Sequence, residues 1–262
     1  MDDRTYLREV QYRDDANLNA RVELHRRFSV NPGDFQRWEF DQLELVARAR
    51  VLEIGCGPGL LWAANLDRVP AGWEVLLTDF SSGMVEVARA RLGGGAFRYA
   101  VADARALPHP AAAFDAAIAN HMLYHVPERP RAIRELARVL RPDGVLFAVT
   151  NGRGHMRELD DLMARLGRRG FGRESARFGL ENGAAQLGEA FAEVELRRWE
   201  DALVVTEPEP VVAYVRSMPG SDGVDSGAVR REAAAVIARD GAFRVGKATG
   251  IFVARSPIQS RT

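Results

Sequence analysis

Cysteine is almost absent from this chain, which has a single one, Cys56, among its 262 residues. An intramolecular disulfide is therefore impossible, and the sequence disfavours a zinc site built from cysteines. Apolar runs of about 18 residues are also missing, so no segment is predicted to span a membrane. The first residues, Met1 to Arg4, are charged and lack the apolar core of a secretion signal, and we therefore predict a cytoplasmic protein.

An excess of one charge is missing as well. Lys plus Arg and Asp plus Glu number 36 each, so the formal net charge is zero. Because nucleic-acid-binding proteins are usually clearly basic, this balance argues against nucleic acid as the main partner. Lysine itself is nearly absent, since Lys247 is the one lysine in the sequence. The remaining composition, 47% hydrophobic and 27% charged, is typical of a globular chain with one α/β domain or two small ones.

Short apolar runs alternate with helical segments in the middle of the chain. The runs predicted as strands are Val51–Ile54, Trp73–Thr78, Ala96–Ala102, Phe114–Ala119 and Gly144–Thr150. Helices are predicted between them at about 60–67, 81–92 and 128–140. Strands that alternate with helices at this spacing indicate βαβ units and a parallel sheet.

The flanking regions have a looser pattern. Before the alternating segment, apolar residues at helical spacing predict a helix over about 35–47. After it, helices are predicted at about 155–166, 183–191, 210–217 and 228–240, with a strand at 194–199. Residues 243–255, interrupted by Gly246 and Gly250, predict a closing hairpin.

The first predicted strand ends in three alternating glycines, Gly55, Gly57 and Gly59, in the sequence VLEIGCGPG. Glycines at such a turn leave no side chain in the way of a ligand and make backbone N–H groups usable as donors. The spacing is G-x-G-x-G after Glu53, whereas the dinucleotide fingerprint needs glycine where this chain has Leu60. No Walker lysine follows, so a P-loop is excluded.

Polar side chains follow the next three strands at the point where each ends. Asp79 follows the second strand, Asp103 the third and Asn120 the fourth. A carboxylate at the first position can accept both hydroxyls of a ribose, and one at the second can accept a hydrogen bond from an adenine amino group. An aspartate after a strand is often only a turn or helix cap. Polar groups at consecutive strand ends, together with the glycine turn, indicate a ligand site at the edge of an open α/β sheet.

These motifs together resemble those of class I S-adenosylmethionine (SAM)-dependent methyltransferases, especially the ubiquinone/menaquinone-type and small-molecule branch. The resemblance covers about residues 50–150, through VLEIGCGPG, TDFSSGMVEVAR, VADARALPHP and FDAAIANHMLYHVPERPRAIRELARVLRPDGVLFAVTN. It implies an α/β, Rossmann-like fold with a seven-stranded, mainly parallel sheet, an antiparallel last strand supplied by the 243–255 hairpin, and helices on both faces. It also implies SAM as the cofactor and S-adenosylhomocysteine (SAH) as its product.

Residue by residue, the resemblance implies where SAM would bind. The methionine end would lie at the glycine turn and the fourth strand, and the ribose and adenine at the ends of the second and third strands. The residues so implied are Glu53, Gly55, Cys56, Gly57, Gly59, Asp79, Phe80, Met84, Asp103, Ala104, Asn120 and His121. Cys56 is interpreted as a small filler of the turn rather than as a nucleophile.

Methyl transfer to a hydroxyl or an acidic carbon is helped by a group that accepts a proton. Three candidates follow the fourth strand: His121, Tyr124 and His125. The two histidines are four residues apart and could share one face of a helix, a spacing that also suits a metal. The sequence lacks the glutamate of an H-E-x-x-H motif and a third ligand, so no metal site is predicted. Packing or cofactor contact is the alternative role for both histidines.

Three segments are predicted. Residues 49–152 form the SAM-binding core, residues 1–48 a helical lid or substrate segment, and residues 153–262 the C-terminal half of the same domain, with helical insertions on the substrate side and closing strands. The lid is suggested by aromatic and polar residues, namely Tyr6, Tyr12, Arg13, Asn17, Arg37 and Trp38. Simple packing on the sheet edge is the alternative role for these helices.

The leading functional hypothesis is a methyltransferase that acts on O, N or C of a small molecule, as a monomer or a homodimer. An RNA or protein methyltransferase is an alternative, although the segment after the fourth strand is not the N/D-P-P-Y/F motif of many such enzymes. A SAM-binding protein without methyl transfer is another, because cofactor motifs indicate binding and not turnover.

The sequence also contains a run of arginines, namely Arg165, Arg168, Arg169, Arg173 and Arg177. The preferred interpretation is a solvated face. A site for a phosphorylated or carboxylated substrate is the second interpretation, and an RNA groove is the third.

Overall fold

The structure, a computed structural model, describes residues 16–168, 174–218, 221 and 223–258. The strands in these residues are β1 (Arg48–Ile54), β2 (Gly72–Asp79), β3 (Phe97–Val101), β4 (Phe114–Asn120), β5 (Leu140–Asn151), β6 (Phe191–Trp199), β7 (Ala202–Val205), β8 (Phe243–Gly246) and β9 (Thr249–Pro257). Seven of them form one sheet in the order β3-β2-β1-β4-β5-β9-β6. Neighbouring strands are parallel except at β9, which is antiparallel to β5 and β6. The predicted α/β architecture with one reversed strand is confirmed.

Helices lie on both faces of this sheet. In chain order the described residues contain α1 (Ala16–Phe28), α2 (Phe35–Asp41), α3 (Leu60–Ala63), α4 (Ser82–Leu92), α5 (Arg129–Val139), α6 (Arg157–Arg165), α7 (Glu174–Arg177), α8 (Gly183–Leu187), α9 (Pro208–Ser217) and α10 (Ser226–Asp240). Successive side chains of β1 enter different apolar clusters, since Leu52 packs in one and Val51 in the other. Burial on both faces is expected of parallel strands that are connected by helices, and it explains why Val51 and Leu52 are both apolar.

A third apolar cluster joins the two ends of the chain. The ribbon of β7 and β8 packs with α1, α6, α9 and α10 through residues such as Leu24, Leu159, Val211 and Phe243. A hydrogen bond also joins α1 to the end of α9, since Arg21 Nη2 donates to the Ser217 carbonyl at 3.2 Å. The N-terminal helix therefore belongs with the C-terminal elements in space. No helix in the residue ranges given above is long and apolar enough to cross a membrane.

The predicted hairpin at 243–255 is wrong. Its first half, β8, pairs with β7 in the small ribbon, whereas its second half belongs to β9, between β5 and β6. Gly250 is not a turn residue, since a Cβ there would lie 2.7 Å from the Arg197 carbonyl oxygen of β6. The glycine that suggested a break instead allows two strands to approach closely, a distinction that the local sequence does not contain.

Several element boundaries also differ from the prediction. The helix predicted over 35–47 ends at Asp41, where Gln42 caps it and the chain turns toward β1. Helix α3 has four residues instead of about eight, and β6 begins at Phe191 within the predicted helix 183–191. Tyr6, Tyr12 and Arg13 of the predicted lid lie outside the described residues, as do Arg169 and Arg173. The segment boundaries at 48/49 and 152/153 stay predictions.

Candidate active site

A cavity of about 880 Å³ opens at the carboxyl ends of the central strands. Its walls bring together nearly all of the predicted site residues, namely Glu53, Gly55, Cys56, Gly57, Asp79, Phe80, Met84, Asp103, Ala104, Asn120, His121, Tyr124 and His125. Gly59 is not among the lining residues. It begins α3 with a φ of +75°, and a Cβ there would lie 2.7 Å from Leu92 of α4, so it serves close packing in this structure.

The glycine turn after β1 is held open by Asp79. Gly57 has a φ of +52°, a backbone conformation that favours glycine, and a Cβ added there would meet no atom within 4 Å. The Gly57 N–H donates to Asp79 Oδ2 at 2.9 Å, and the Ser81 N–H donates to Asp79 Oδ1 at 2.8 Å. Burial raises the pKa of the Asp79 carboxyl, while these backbone donors lower it. One carboxylate thus fixes two loops and leaves a bare backbone surface facing the cavity.

Two buried carboxyl groups meet at the end of β4. The Asn120 amide donates from Nδ2 to Glu39 Oε1 at 2.5 Å and to Glu53 Oε1 at 3.3 Å. Trp62 Nε1 donates to Glu53 Oε2 at 2.5 Å. Glu39 and Glu53 are only 3% and 2% exposed, and no arginine or lysine in the described part of the chain forms an ion pair with either of them. The Asn120 side-chain oxygen is buried without a partner.

Burial governs the protonation of this acidic end. Loss of hydration raises the pKa of Glu53 to about 8, with a smaller contribution from the Asp79 charge. Burial and the neighbouring Glu53 raise the pKa of Glu39 well above its ordinary value. Two buried acids without a protein cation are a costly arrangement, so they indicate a ligand that brings positive charge.

The three proton-accepting candidates surround the junction between the acidic end and the rest of the cavity. The expectation that His121 and His125 share a helical face is wrong, because Leu123–His125 is a single 3-10 turn and His121 precedes it with a φ of +50°. The His121 N–H donates to the Val149 carbonyl at 3.0 Å, and this bond fixes the turn against β5. The Tyr124 and His125 rings meet edge to face at 4.5 Å.

Both histidines are neutral at physiological pH. Burial, and then the Lys247 ammonium, lowers the pKa of His121 to about 4. Burial, then Arg177 and Arg21, lowers the pKa of His125 to about 4. A neutral imidazole can accept a proton, although a pKa this low makes it a weak base.

Sequence reasoning missed several residues that the fold brings to the same cavity. They are Arg21, His25, Glu39, His155, Trp199, Asp201 and Lys247. His25 and His155 are stacked with ring centroids 6.5 Å apart, and Lys247 Nζ forms a buried ion pair with Asp201 Oδ2 at 2.5 Å. They come from α1, α2, the β5–α6 loop, the end of β6 and the β6–β7 and β8–β9 turns, so no local motif joins them. The one signal in the sequence was that Lys247 is the only lysine.

The arginine run does not line this cavity in the described residues, although Arg177 is close enough to His125 to lower the pKa of that imidazole. Arg165 forms an ion pair with Glu232, and Arg168 donates to the Gly223 carbonyl. These contacts agree with the interpretation of a solvated face. Within the described ranges, no group of three or more His, Cys, Asp or Glu side chains is arranged to hold a metal ion.

Comparison with known proteins agrees with this geometry. Residues 52–148 match the family described as Methyltransferase domain. The chain is 39% identical over 111 residues to malonyl-[acyl-carrier protein] O-methyltransferase of Salmonella typhimurium, covering 42% of each chain. It is 38% identical over 102 residues to the ubiquinone/menaquinone biosynthesis C-methyltransferase UbiE of Bordetella avium, covering 38% of this chain and 40% of that one. The matched part is thus about two fifths of these relatives.

Solved structures show that the fold extends beyond the matched segment. Phosphoethanolamine N-methyltransferase 2 of Haemonchus contortus, solved in complex with SAM, superimposes with a TM-score of 0.64 at 19% identity. The alignment covers 98% of this chain and 60% of that one. The motifs, the sheet order and these similarities agree. Residues 52–148 therefore resemble the methyltransferase domain of class I SAM-dependent enzymes in sequence and in fold.

Proposed function

We propose that the protein is a SAM-dependent methyltransferase that transfers a methyl group to O, N or C of a small molecule by in-line displacement. The observation that carries this proposal is the acidic end of the cavity, formed by Glu39, Glu53 and Asn120. SAM carries an ammonium and a sulfonium, and a ligand of that charge supplies the cation that the two buried carboxyl groups lack. The unpartnered Asn120 oxygen is a further acceptor for such a ligand.

The remaining predicted residues fit the other parts of SAM. Gly55 and Gly57 would present backbone to the methionine end, and Asp79 would accept the ribose hydroxyls with its remaining lone pairs. Asp103 would accept from the adenine amino group, beside Arg105, whose guanidinium lies 2.9 Å from its carboxylate. When bound, SAM supplies a methyl group that the positive charge on its sulfur already activates for displacement.

The protein's own contribution is mainly to position the acceptor and exclude water. Phe35 and Trp38 of α2 and Trp199 of β6 form an aromatic cluster, and Phe35 lies 6.3 Å from His121. This cluster brings the N-terminal segment against the cavity, in support of the lid or substrate role proposed for residues 1–48. Holding two reactants in line can contribute about 7–11 kcal/mol toward such a barrier.

His121, Tyr124 and His125 are the proposed proton-accepting residues. We expect His125→Ala to lower kcat about ten- to a hundredfold, the low end of general-base effects, because the pKa of His125 is far below neutral. The affinity for SAM, measured by calorimetry, should change little. Equal losses of kcat and SAM affinity would assign His125 to packing, and the exposed-loop variant Arg153→Ala serves as the control.

Methyl-labelled SAM tests the proposed function directly. The purified protein is incubated with it in a lysate of the source cells, and the products are separated by size. Label is expected in the small-molecule fraction. Label only in RNA or protein would replace the substrate class, and SAM binding without any labelled product would indicate a SAM-binding protein that does not transfer methyl groups. Action in the cytoplasm, and the monomeric or dimeric state, stay predictions.

A further inference from the structure

The cavity has two chemically different ends. Its carboxyl groups, Glu39 and Glu53, lie at the end of β1 and β4, where the cationic cofactor is proposed to bind. A second part of the wall is formed by α1, the β6–β7 turn and the β8–β9 turn, and it presents hydrogen-bond donors and cations. That end is not used by the cofactor motifs, so it is available for the methyl acceptor.

Unpartnered donors are concentrated at this second end. The described residues contain five buried side-chain polar atoms without a hydrogen-bond partner, and four of them belong to residues that line this cavity. One is the Asn120 oxygen at the acidic end. The other three are Arg21 Nε, Trp199 Nε1 and His25 Nδ1. The Arg21 and Trp199 side chains can only donate, so a ligand that satisfies them must offer hydrogen-bond acceptors.

Helix α1 supplies Arg21 to this part of the cavity wall. Arg21 and His25 are four residues apart and therefore lie on one face of the helix. The Arg21 Nη2 bond to the Ser217 carbonyl fixes the guanidinium on α9, while Nε of this cavity-lining residue is buried without a partner. No carboxylate in the described part of the chain forms an ion pair with Arg21.

Lys247 adds a second cation. Its partner Asp201 already accepts from Lys247 and Ser29 through Oδ2, and from the Asn31 and Ala202 N–H groups through Oδ1. Because an ammonium has three donors and Asp201 uses one, the other two are left for a neighbour. In a chain whose other basic side chains are all arginine, the one lysine is buried at this wall, with only 8% of its side chain exposed.

We propose that the methyl acceptor is a small-molecule anion whose ionised oxygen, a carboxylate or a phosphate, binds to Arg21, Trp199 and Lys247. This inference rests on the proposed methyl transfer and specifies its acceptor. The cationic cofactor would occupy the acidic end and the anionic acceptor the basic end, so each charge meets its opposite. Burial lowers the pKa of His25 to about 3 and that of His155 well below its ordinary value, so neither histidine adds positive charge.

The test separates the acceptor by its charge before the reaction. Small molecules of a source-cell lysate are divided at pH 8 into a fraction retained by an anion exchanger and a fraction that flows through. Each fraction is offered to the protein with methyl-labelled SAM, and separately to the protein saturated with SAH, whose thermal midpoint is recorded. We expect the labelled product and the thermal shift with the retained fraction.

Substitutions in α1 test whether Arg21 binds the methyl acceptor. Arg21→Met should raise the apparent KM for the retained fraction about tenfold or more and abolish most of the thermal shift, because one charged donor is lost. Arg21→Lys should restore part of the affinity for the retained fraction and part of the thermal shift. Arg27→Met is the matched control, since Arg27 is on the same helix, pairs with Glu207 and does not line the cavity.

The outcomes separate the two proposals. Labelled product only from the flow-through overturns the anionic acceptor and leaves methyl transfer intact. Label from the retained fraction with equal KM in Arg21→Met and Arg27→Met overturns the assignment to Arg21. Absence of any SAH-induced shift, or of label from both fractions, overturns the proposed function itself.

Discussion

Replacing Asp79 by alanine is expected to weaken SAM binding at least a hundredfold and to leave the fold intact. The carboxylate would accept both ribose hydroxyls, and hydrogen bonds to a charged group contribute about 1.5–3 kcal/mol each, so two of them amount to a factor of roughly 10²–10⁴. The same carboxylate holds the Gly57 and Ser81 N–H groups, so its loss also loosens the turn that faces the ligand. The freed N–H groups line an open cavity where water can hydrate them.

Calorimetry with SAM and circular dichroism measure the two parts of this prediction. Asp79→Asn keeps an acceptor for one loop and should bind SAM with intermediate affinity. Asp67→Ala, at an exposed aspartate outside the cavity, is the matched control. Unchanged affinity in a folded Asp79→Ala protein would remove Asp79 from the binding site, and loss of the fold would assign it a structural role.

Glu53→Gln is expected to have opposite effects on ligand binding and on stability. Without the carboxylate, SAM affinity should fall about ten- to a hundredfold, because a buried negative partner of the ligand's cation is lost. The ligand-free protein should become more stable at pH 8.5, because a buried acid without a cationic partner is replaced by a neutral side chain of the same shape. Glu39→Gln should act in the same direction on both quantities.

The pH dependence follows from the same groups. The pKa of Glu53 is raised to about 8 from 4.5, so between these values the folded state keeps a proton that the unfolded state has lost. The free energy of unfolding then falls as pH rises, by about 1.4 kcal/mol per pH unit for such a group. The pKa of His121 and that of His125 are lowered from 6.5 to about 4, so over that range their contribution rises with pH.

The two trends oppose each other up to about pH 6.5, and only the carboxyl groups act above it. We therefore expect the stability of the ligand-free protein to decline between about pH 6.5 and pH 8, and the decline to be shallower in Glu53→Gln. Thermal unfolding across this range is the measurement. Glu74→Gln, whose side chain is 82% exposed, is the control. A wild-type curve without an alkaline decline would contradict the raised pKa of Glu53.

Much of the central fold could be predicted because its signals are local. The apolar residues at the end of β1, the glycines after it and the apolar periodicity of α4 and α5 are each contained in a few neighbouring residues. The errors arose where a local signal had a nonlocal cause. Gly250 resembles a break but accommodates the β6 backbone, and the helix predicted over 35–47 ends early because the chain must turn to enter β1.

The sequence by itself determined the sheet, the glycine turn and the polar groups at the strand ends, because each strand of a parallel sheet brings its own carboxyl end to the same edge. The tertiary structure alone decided which other residues meet them. Glu39 joins Glu53 across Asn120, and Arg21 and Lys247 line the same cavity, through contacts between segments far apart in the chain. Burial then raises the pKa of Glu39 and of Glu53 and leaves Arg21 Nε without a partner, and burial is a property of the packed chain that no short motif contains.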